Sequence, residues 1–99
     1  MIRHVVLFTW KDGTNEEQML AVVEALKQLP AAIPQLRDYQ FGPDLGISDD
    51  TADFAVVADC ASVDDWRAYI DHPEHQRVVR EVVAPIRESR IALQYEIEG

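Results

Sequence analysis

The residues best suited to chemistry lie in one short stretch, YIDHPEHQRVV, at positions 69 to 79. It holds two of the three histidines, His72 and His75, on either side of Pro73, and Tyr69 lies just upstream. An unperturbed imidazole titrates near neutral pH, so it can remove a proton from a carbon next to a carbonyl. A tyrosine hydroxyl can hold the negative oxygen that this creates. The stretch is therefore suited to proton transfer without a cofactor.

The same stretch also predicts a boundary between two helices. A residue before proline is pushed out of the helical region, so the first helix should end near Asp71 or His72. Pro73 suits the first position of the next helix. His72 then occupies the N-cap position and has a structural task, whereas His75 has none and is expected to face a pocket.

A metal site is the alternative chemical interpretation. His72 and His75 are three residues apart, and Asp71, Glu74 and His4 are further candidate ligands. Zinc requires three or four converging ligands with outer hydrogen bonds to orient them. The helix break separates the two histidines, which disfavours a shared metal ion. In addition, the spacing of the glycines matches no phosphate-binding motif. The sequence thus predicts no metal, no nucleotide and no other cofactor.

Size and charge narrow the class of protein. The 99 residues predict one domain, spanning 1–99, and 47% hydrophobic residues are enough for a core. Eighteen acidic against nine basic residues give a net charge of −9, which disfavours binding to nucleic acid or to anionic membranes. The single cysteine, Cys60, permits no intrachain disulfide and is consistent with a cytoplasmic protein.

The elements that must position these residues follow from hydrophobic periodicity and from turn and cap signals. Thr14 and Glu17 predict a capping box, Pro30 a helix end, and Ser62 a second N-cap. Pro85 should end the last helix. The predicted strands are 2–10, 38–42, 54–60 and 90–98, and the predicted helices are 14–30, 62–71 and 74–83. The order β-α-β-β-α-β predicts an α+β, ferredoxin-like fold with a four-stranded antiparallel sheet.

Two of the strands are apolar on both faces, which a sheet covered by helices on one side does not require. In the first strand Val5 and Val6 lie on opposite faces, as Val57 and Val56 do in the third. Large exposed apolar patches are rare on monomers. We therefore expect a homodimer whose sheets close on each other as an α+β barrel, through either the Val5/Val57 or the Val6/Val56 face.

Three segments together, MIRHVVLFTWK, DFAVVADCASVDDWRAYIDHPEHQRVV and VVAPIRES, resemble the stress-responsive A/B barrel (Dabb) family along essentially the whole chain. The resemblance implies a dimeric α+β barrel and, through polyketide cyclases of the olivetolic acid cyclase type, a cofactor-free active site. His75 would then be the general base, Tyr69 would assist it, and His4 would line the pocket. A further pocket histidine of those cyclases corresponds to Val56.

The predicted pocket binds a small hydrophobic or aromatic molecule between the sheet and the helices. Its predicted substrate-binding residues are His4, Val6, Phe8, Phe54, Val56 and Trp66. Three functions remain open: cyclase-like proton transfer on a small carbonyl or polyketide-like compound, non-catalytic ligand binding by a stress-associated domain, and cofactor-independent monooxygenation on the same fold.

Overall fold

The computed structural model describes all residues, 1–99, and contains four strands and four α-helices. The first strand and helix are β1 (Ile2–Trp10) and α1 (Glu16–Lys27), followed by α2 (Leu29–Ala32), β2 (Asp38–Pro43) and β3 (Phe54–Cys60). Next come α3 (Val63–Asp71), α4 (Pro73–Val78) and a π-helical turn (Val79–Val83), and β4 (Arg87–Glu96) closes the chain.

The strands form one antiparallel sheet in the order β2-β3-β1-β4, with the helices on one face. The predicted ferredoxin-like α+β fold is confirmed. The central pair, β1 and β3, brings Val6 opposite Val56 and Val5 opposite Val57. Residues opposite each other in an antiparallel pair share a face of the sheet. The two alternative valine pairs therefore lie on opposite faces, as predicted.

The helix-covered face of the sheet supplies the core. Val6, Phe8 and Trp10 of β1 are buried there, and Phe54 and Val56 of β3 lie beside them. Val22 and Leu26 of α1 and Val78 of α4 are among the buried residues that pack against this face. The Val6/Val56 pair is thus used inside the domain, which leaves the Val5/Val57 face for any contact with a second copy.

The open face of the sheet is apolar and uncovered in the single chain. On β4, Ile91, Leu93 and Tyr95 remain 70%, 57% and 46% exposed, and their partners on β1 are Leu7, Val5 and Arg3. β4 is exposed along nearly its whole length, because it is an edge strand whose apolar side points away from the helices.

Two helix boundaries differ from the sequence prediction. Thr14 is not the N-cap of α1, because its hydroxyl donates to the Lys11 carbonyl (2.6 Å) and so closes the preceding turn. Asn15 caps the helix, and Gln18 completes the capping box. Pro30 does not end α1, which stops at Lys27, because proline is accommodated in the first turn of a separate short helix, α2.

The predicted break between α3 and α4 is confirmed. Ser62 caps α3 by accepting a hydrogen bond from the Asp65 amide. His72 has extended backbone angles, and its Nδ1 accepts a hydrogen bond from the Glu74 amide (3.1 Å), which makes it the N-cap of α4. The helix then widens into the π-helical turn before Pro85, a feature that often occurs at functional sites.

Candidate functional site

A cavity of about 360 Å³ lies between the sheet and the helices. This volume lies in the range of small-molecule sites. Ten of its 14 lining residues are hydrophobic when its two tyrosines are included, and the cavity has no acidic lining residue. Six residues named from the sequence line it: His4, Val6, Phe8, Val56, Tyr69 and His75.

Two other residues predicted to bind substrate, Trp66 and Phe54, do not line this cavity. Phe54 begins β3 and packs its ring 5.8 Å from that of Trp10, where it fills the core. The Trp66 ring lies 5.9 Å from His4 but borders a separate depression that Ile2 also lines. Trp66 therefore supports the His4 ring rather than contacting the cavity. The sequence shows which face of a strand or helix a residue lies on, but it does not show where along that element a cavity ends.

The helix break positions His75. In an unbroken helix the Glu74 amide would donate to the Ile70 carbonyl, but here it donates to His72. The Ile70 carbonyl lies 3.0 Å from His75 Nδ1 and also accepts a hydrogen bond from Gln76 Nε2 (2.8 Å). Because a carbonyl oxygen can only accept, Nδ1 of His75 carries the proton. The lone pair of the neutral ring is therefore on Nε2.

The surroundings of His75 favour its neutral form. Burial is the main cause that lowers the pKa of His75, and the charges of Arg90 and His72 lower it further. The hydrogen bond to Ile70 acts in the opposite direction. At neutral pH the ring is thus an unprotonated base in a largely apolar cavity.

Tyr69 is the aromatic neighbour of His75. The two ring centroids are 4.6 Å apart, and only 2% of Tyr69 is exposed. Burial raises the pKa of Tyr69 to about 12, although its interaction with Tyr39 partly offsets this. The phenol therefore keeps its proton at neutral pH and can donate a hydrogen bond to an oxygen atom in the cavity.

His4 lies across the cavity on β1 and is 2% exposed. Its Nδ1 lies 2.6 Å from Gln94 Oε1 on β4, and its ring centroid lies 6.0 Å from that of Tyr69. Burial lowers the pKa of His4, so this ring is also neutral at neutral pH. With the proton of the His4 ring on Nδ1, where it is donated to Gln94 Oε1, the lone pair is on Nε2, as in His75.

Three polar lining residues escaped the sequence analysis: Tyr39, Arg87 and Arg90. Tyr39 lies on β2, and its ring centroid lies 6.3 Å from that of Tyr69. The high number of aromatic residues in so short a chain is the only sequence signal for it. No sequence pattern indicates the two arginines. Side chains alternate between the two faces of a regular strand, which would put residues 87 and 90 on opposite faces.

The candidate metal ligands do not converge. The structure contains no group of three or more histidine, cysteine, aspartate or glutamate side chains placed to hold a metal ion. His72 Nδ1 is occupied by the Glu74 amide. Cys60 is buried, and burial raises the pKa of its thiol to about 11, so the thiolate is scarce at neutral pH. It is therefore a poor nucleophile or metal ligand.

The fold and the site define a small α+β protein with an apolar cavity and two neutral histidines. The model of the stress responsive A/B barrel domain matches residues 2–97. The chain belongs to this family. No helix is long and apolar enough to cross a lipid bilayer.

Similar proteins come from bacteria and from a plant. A dimeric ferredoxin-like protein of unknown function from Thermobifida fusca YX is 46% identical, with a TM-score of 0.91 over 97% of this chain and 90% of that one. An uncharacterised protein of Streptomyces coelicolor, SCO4036, is 36% identical over 77% of this chain and 80% of its own length. The hydroxynitrile lyase of Passiflora edulis has a TM-score of 0.84 at 23% identity, covering 98% of this chain and 93% of that one. At that identity the likeness shows a shared fold only.

Proposed function

We propose that the cavity carries out general-base chemistry without a cofactor on a small apolar or aromatic carbonyl compound, a reaction of the cyclase type. His75 is the base, and Tyr69 is the hydrogen-bond donor. His4 and the apolar residues Val6, Phe8 and Val56 bind the substrate.

The observation that carries this proposal is the fixed tautomer of His75. Its Nδ1–H donates to the Ile70 carbonyl, so Nε2 has the lone pair that a base requires. A base works best when it is neutral at the working pH, and burial provides that here. The break at His72 creates this arrangement, because it frees the Ile70 carbonyl.

The proposed step moves one proton and one electron pair. His75 Nε2 takes a proton from the carbon next to the substrate carbonyl, and the C–H electron pair moves to form an enolate. Tyr69 donates a hydrogen bond to the enolate oxygen, where the negative charge develops. In a cyclisation the enolate carbon then attacks a second carbonyl of the same molecule, and the imidazolium returns its proton to the new alkoxide.

A second candidate function is ligand binding without catalysis by a stress-associated domain. Val56 favours it, because the resemblance to polyketide cyclases expects a histidine at this position. Val56 is 4% exposed and lines the cavity, so the wall of β3 offers no polar group there. A hydrophobic ligand would be held by the same residues, and no proton would move.

We also propose that the protein is a homodimer closed through the open face of the sheet. The Thermobifida fusca relative is dimeric, which supports this. The exposed apolar residues Leu7, Ile91 and Leu93 would be buried between the two sheets.

We further propose that the protein is cytoplasmic, and this proposal rests only on its single free cysteine.

Exchange of carbon-bound protons in deuterated water tests the proposed chemistry directly. Aryl methyl ketones and 1,3-diketones are incubated with the protein, and the loss of the signal from the proton next to the carbonyl is followed by NMR. We expect the protein to accelerate exchange and His75→Gln to abolish this. Tyr69→Phe, which removes one donor, should slow exchange by about 100-fold.

The matched control is Arg80→Gln, since Arg80 is exposed and does not line the cavity. It should exchange at the wild-type rate. If His75→Gln exchanges as fast as the wild type, or if no ketone exchanges while the ketones do bind, the catalytic proposal is wrong and the ligand-binding function is preferred.

A further inference from the structure

Two arginines of β4 stand out in the wall of an otherwise neutral cavity. Arg87 is half-buried and Arg90 is exposed, and both line the cavity that holds His75 and Tyr69. Neither forms an ion pair. Three other arginines of the chain are also unpaired, so it is the position of these two in the wall of one cavity that calls for a physical explanation.

An irregularity in the sheet places both arginines on the same side. Arg90 lies opposite Phe8, which faces the helices. The register between β1 and β4 shifts at Thr9 and Trp10, so that Trp10 lies opposite Arg87 and Glu88 has no partner. A residue inserted in this way is a β-bulge, and it reverses the alternation of faces beyond it. Arg87 therefore faces the helices, as Arg90 does.

The charge at this end of the cavity is not compensated from within. No aspartate or glutamate lines the cavity, and its other polar residues are His4, His75 and two tyrosines. Burial keeps both histidines neutral by lowering their pKa, and the charge of Arg90 adds to that effect in each. Because Arg90 is exposed, the arginines lie where the cavity meets solvent at the edge strand β4.

We propose that Arg87 and Arg90 bind the carboxylate of an apolar or aromatic acid whose body fills the cavity. A guanidinium group presents planar, paired N–H donors that match the two oxygens of a carboxylate, and its charge shortens and strengthens those bonds. The ligand is thus amphipathic, with its anionic end at β4 and its apolar end among Val6, Val56 and Val78. This inference rests on the proposed function, since it names the substrate class of the same cavity.

Binding of an acid and of its neutral amide separates the arginines from the rest of the cavity. The probes are 4-phenylbutyrate and 4-phenylbutyramide, which share an apolar body and differ in charge. Affinities are measured by isothermal titration calorimetry at pH 7.5 with wild-type protein, Arg87→Gln, Arg90→Gln and Arg80→Gln. Arg80→Gln is the matched control, because it removes the same charge from an exposed position that does not line the cavity.

We expect wild-type protein to bind the acid about tenfold more tightly than the amide, as for hydrogen bonds to charged groups. Arg87→Gln and Arg90→Gln should each remove most of this preference without changing the affinity for the amide. Arg80→Gln should keep it. If wild-type protein binds both probes equally well, the inference is wrong and the proposed function is unaffected. If it binds neither probe, both the inference and the binding role of the cavity are wrong. If Arg80→Gln lowers the acid affinity as much as the other two variants, general surface charge is responsible and the inference is wrong.

Discussion

The two histidines of the HPEH stretch have different tasks, although only two residues separate them. His72 Nδ1 accepts a hydrogen bond from a backbone amide, whereas His75 Nδ1 donates to a backbone carbonyl. The first bond caps a helix, and the second fixes a tautomer. The opposite roles of one ring atom decide which histidine is available as a base.

The lowered pKa values of His4 and His75 predict a stability that depends on pH. Both values lie below the ordinary one of about 6.5, mainly because burial of His4 and partial burial of His75 disfavour the charged ring. The unfolded chain therefore binds more protons than the folded chain between the ordinary and the lowered pKa values. The free energy of unfolding should fall as the pH is lowered through this window and should be fully retained above about pH 6.5.

Urea unfolding at pH 7.5 and at pH 5.5 measures this dependence. The charge of Arg90 lowers the pKa of both rings, that of His75 also lowers the pKa of His4, and that of His72 lowers the pKa of His75. The double variant His4→Gln/His75→Gln should lose less stability between the two pH values than the wild type. An unchanged pH dependence in this variant would show that other groups are responsible.

At the scale of the elements, the break between α3 and α4 positions the base. Pro73 cannot continue α3, His72 caps α4, and the freed Ile70 carbonyl receives His75. Gln76 also donates to this carbonyl, so His75 is not required to satisfy it. Loss of the His75 ring should therefore change the stability of the protein only slightly.

His72→Ala should destabilise the protein by about 1 kcal/mol, because the Glu74 amide loses its acceptor at the start of α4. His72→Asn is the matched variant, since asparagine is a good N-cap residue and should restore most of this loss. Urea unfolding at pH 7.5 measures both. A loss of stability that is equal in the two variants would mean that His72 stabilises the break by some other contact.

At the scale of the whole molecule, the sheet has two apolar faces and only one layer of helices. The helices cover the face that contains Val6 and Val56. The other face exposes Leu7, Ile91 and Leu93 to solvent in the single chain. Contact between two such faces is the simplest way to remove this surface from water.

Leu93→Asp should convert the proposed homodimer into a folded monomer at micromolar concentration. Leu93 is 57% exposed in the single chain, so the substitution leaves the core of each subunit intact. Leu20→Asp is the matched control, because Leu20 is 59% exposed on α1, on the helix side of the sheet and not on its open face. Light scattering gives the mass, and circular dichroism the helix content. A wild-type monomer, or a Leu93→Asp dimer as stable as the wild type, would contradict an interface on the open face.

The sequence by itself determined the order of elements, the helix break and the pairing of faces. These depend on local rules: the period of apolar residues, the backbone restriction before proline, and capping by Ser62 and His72. Where two local signals compete, the prediction was wrong. Thr14 and Asn15 are both good N-cap residues, and only the hydrogen bond from Thr14 to Lys11 decides between them.

Tertiary structure decided which face the helices cover, where the cavity ends, and which side of β4 faces it. The Val5/Val57 and Val6/Val56 faces are equally apolar in sequence, so only the packing of helices on one of them distinguishes the two. Trp66 and Phe54 were predicted from the sequence to bind substrate in the cavity, but in the structure they do not line it. Arg87 and Arg90 line the same cavity only because a bulge adds one residue to β4. A bulge is defined by pairing with another strand, which no local sequence pattern records.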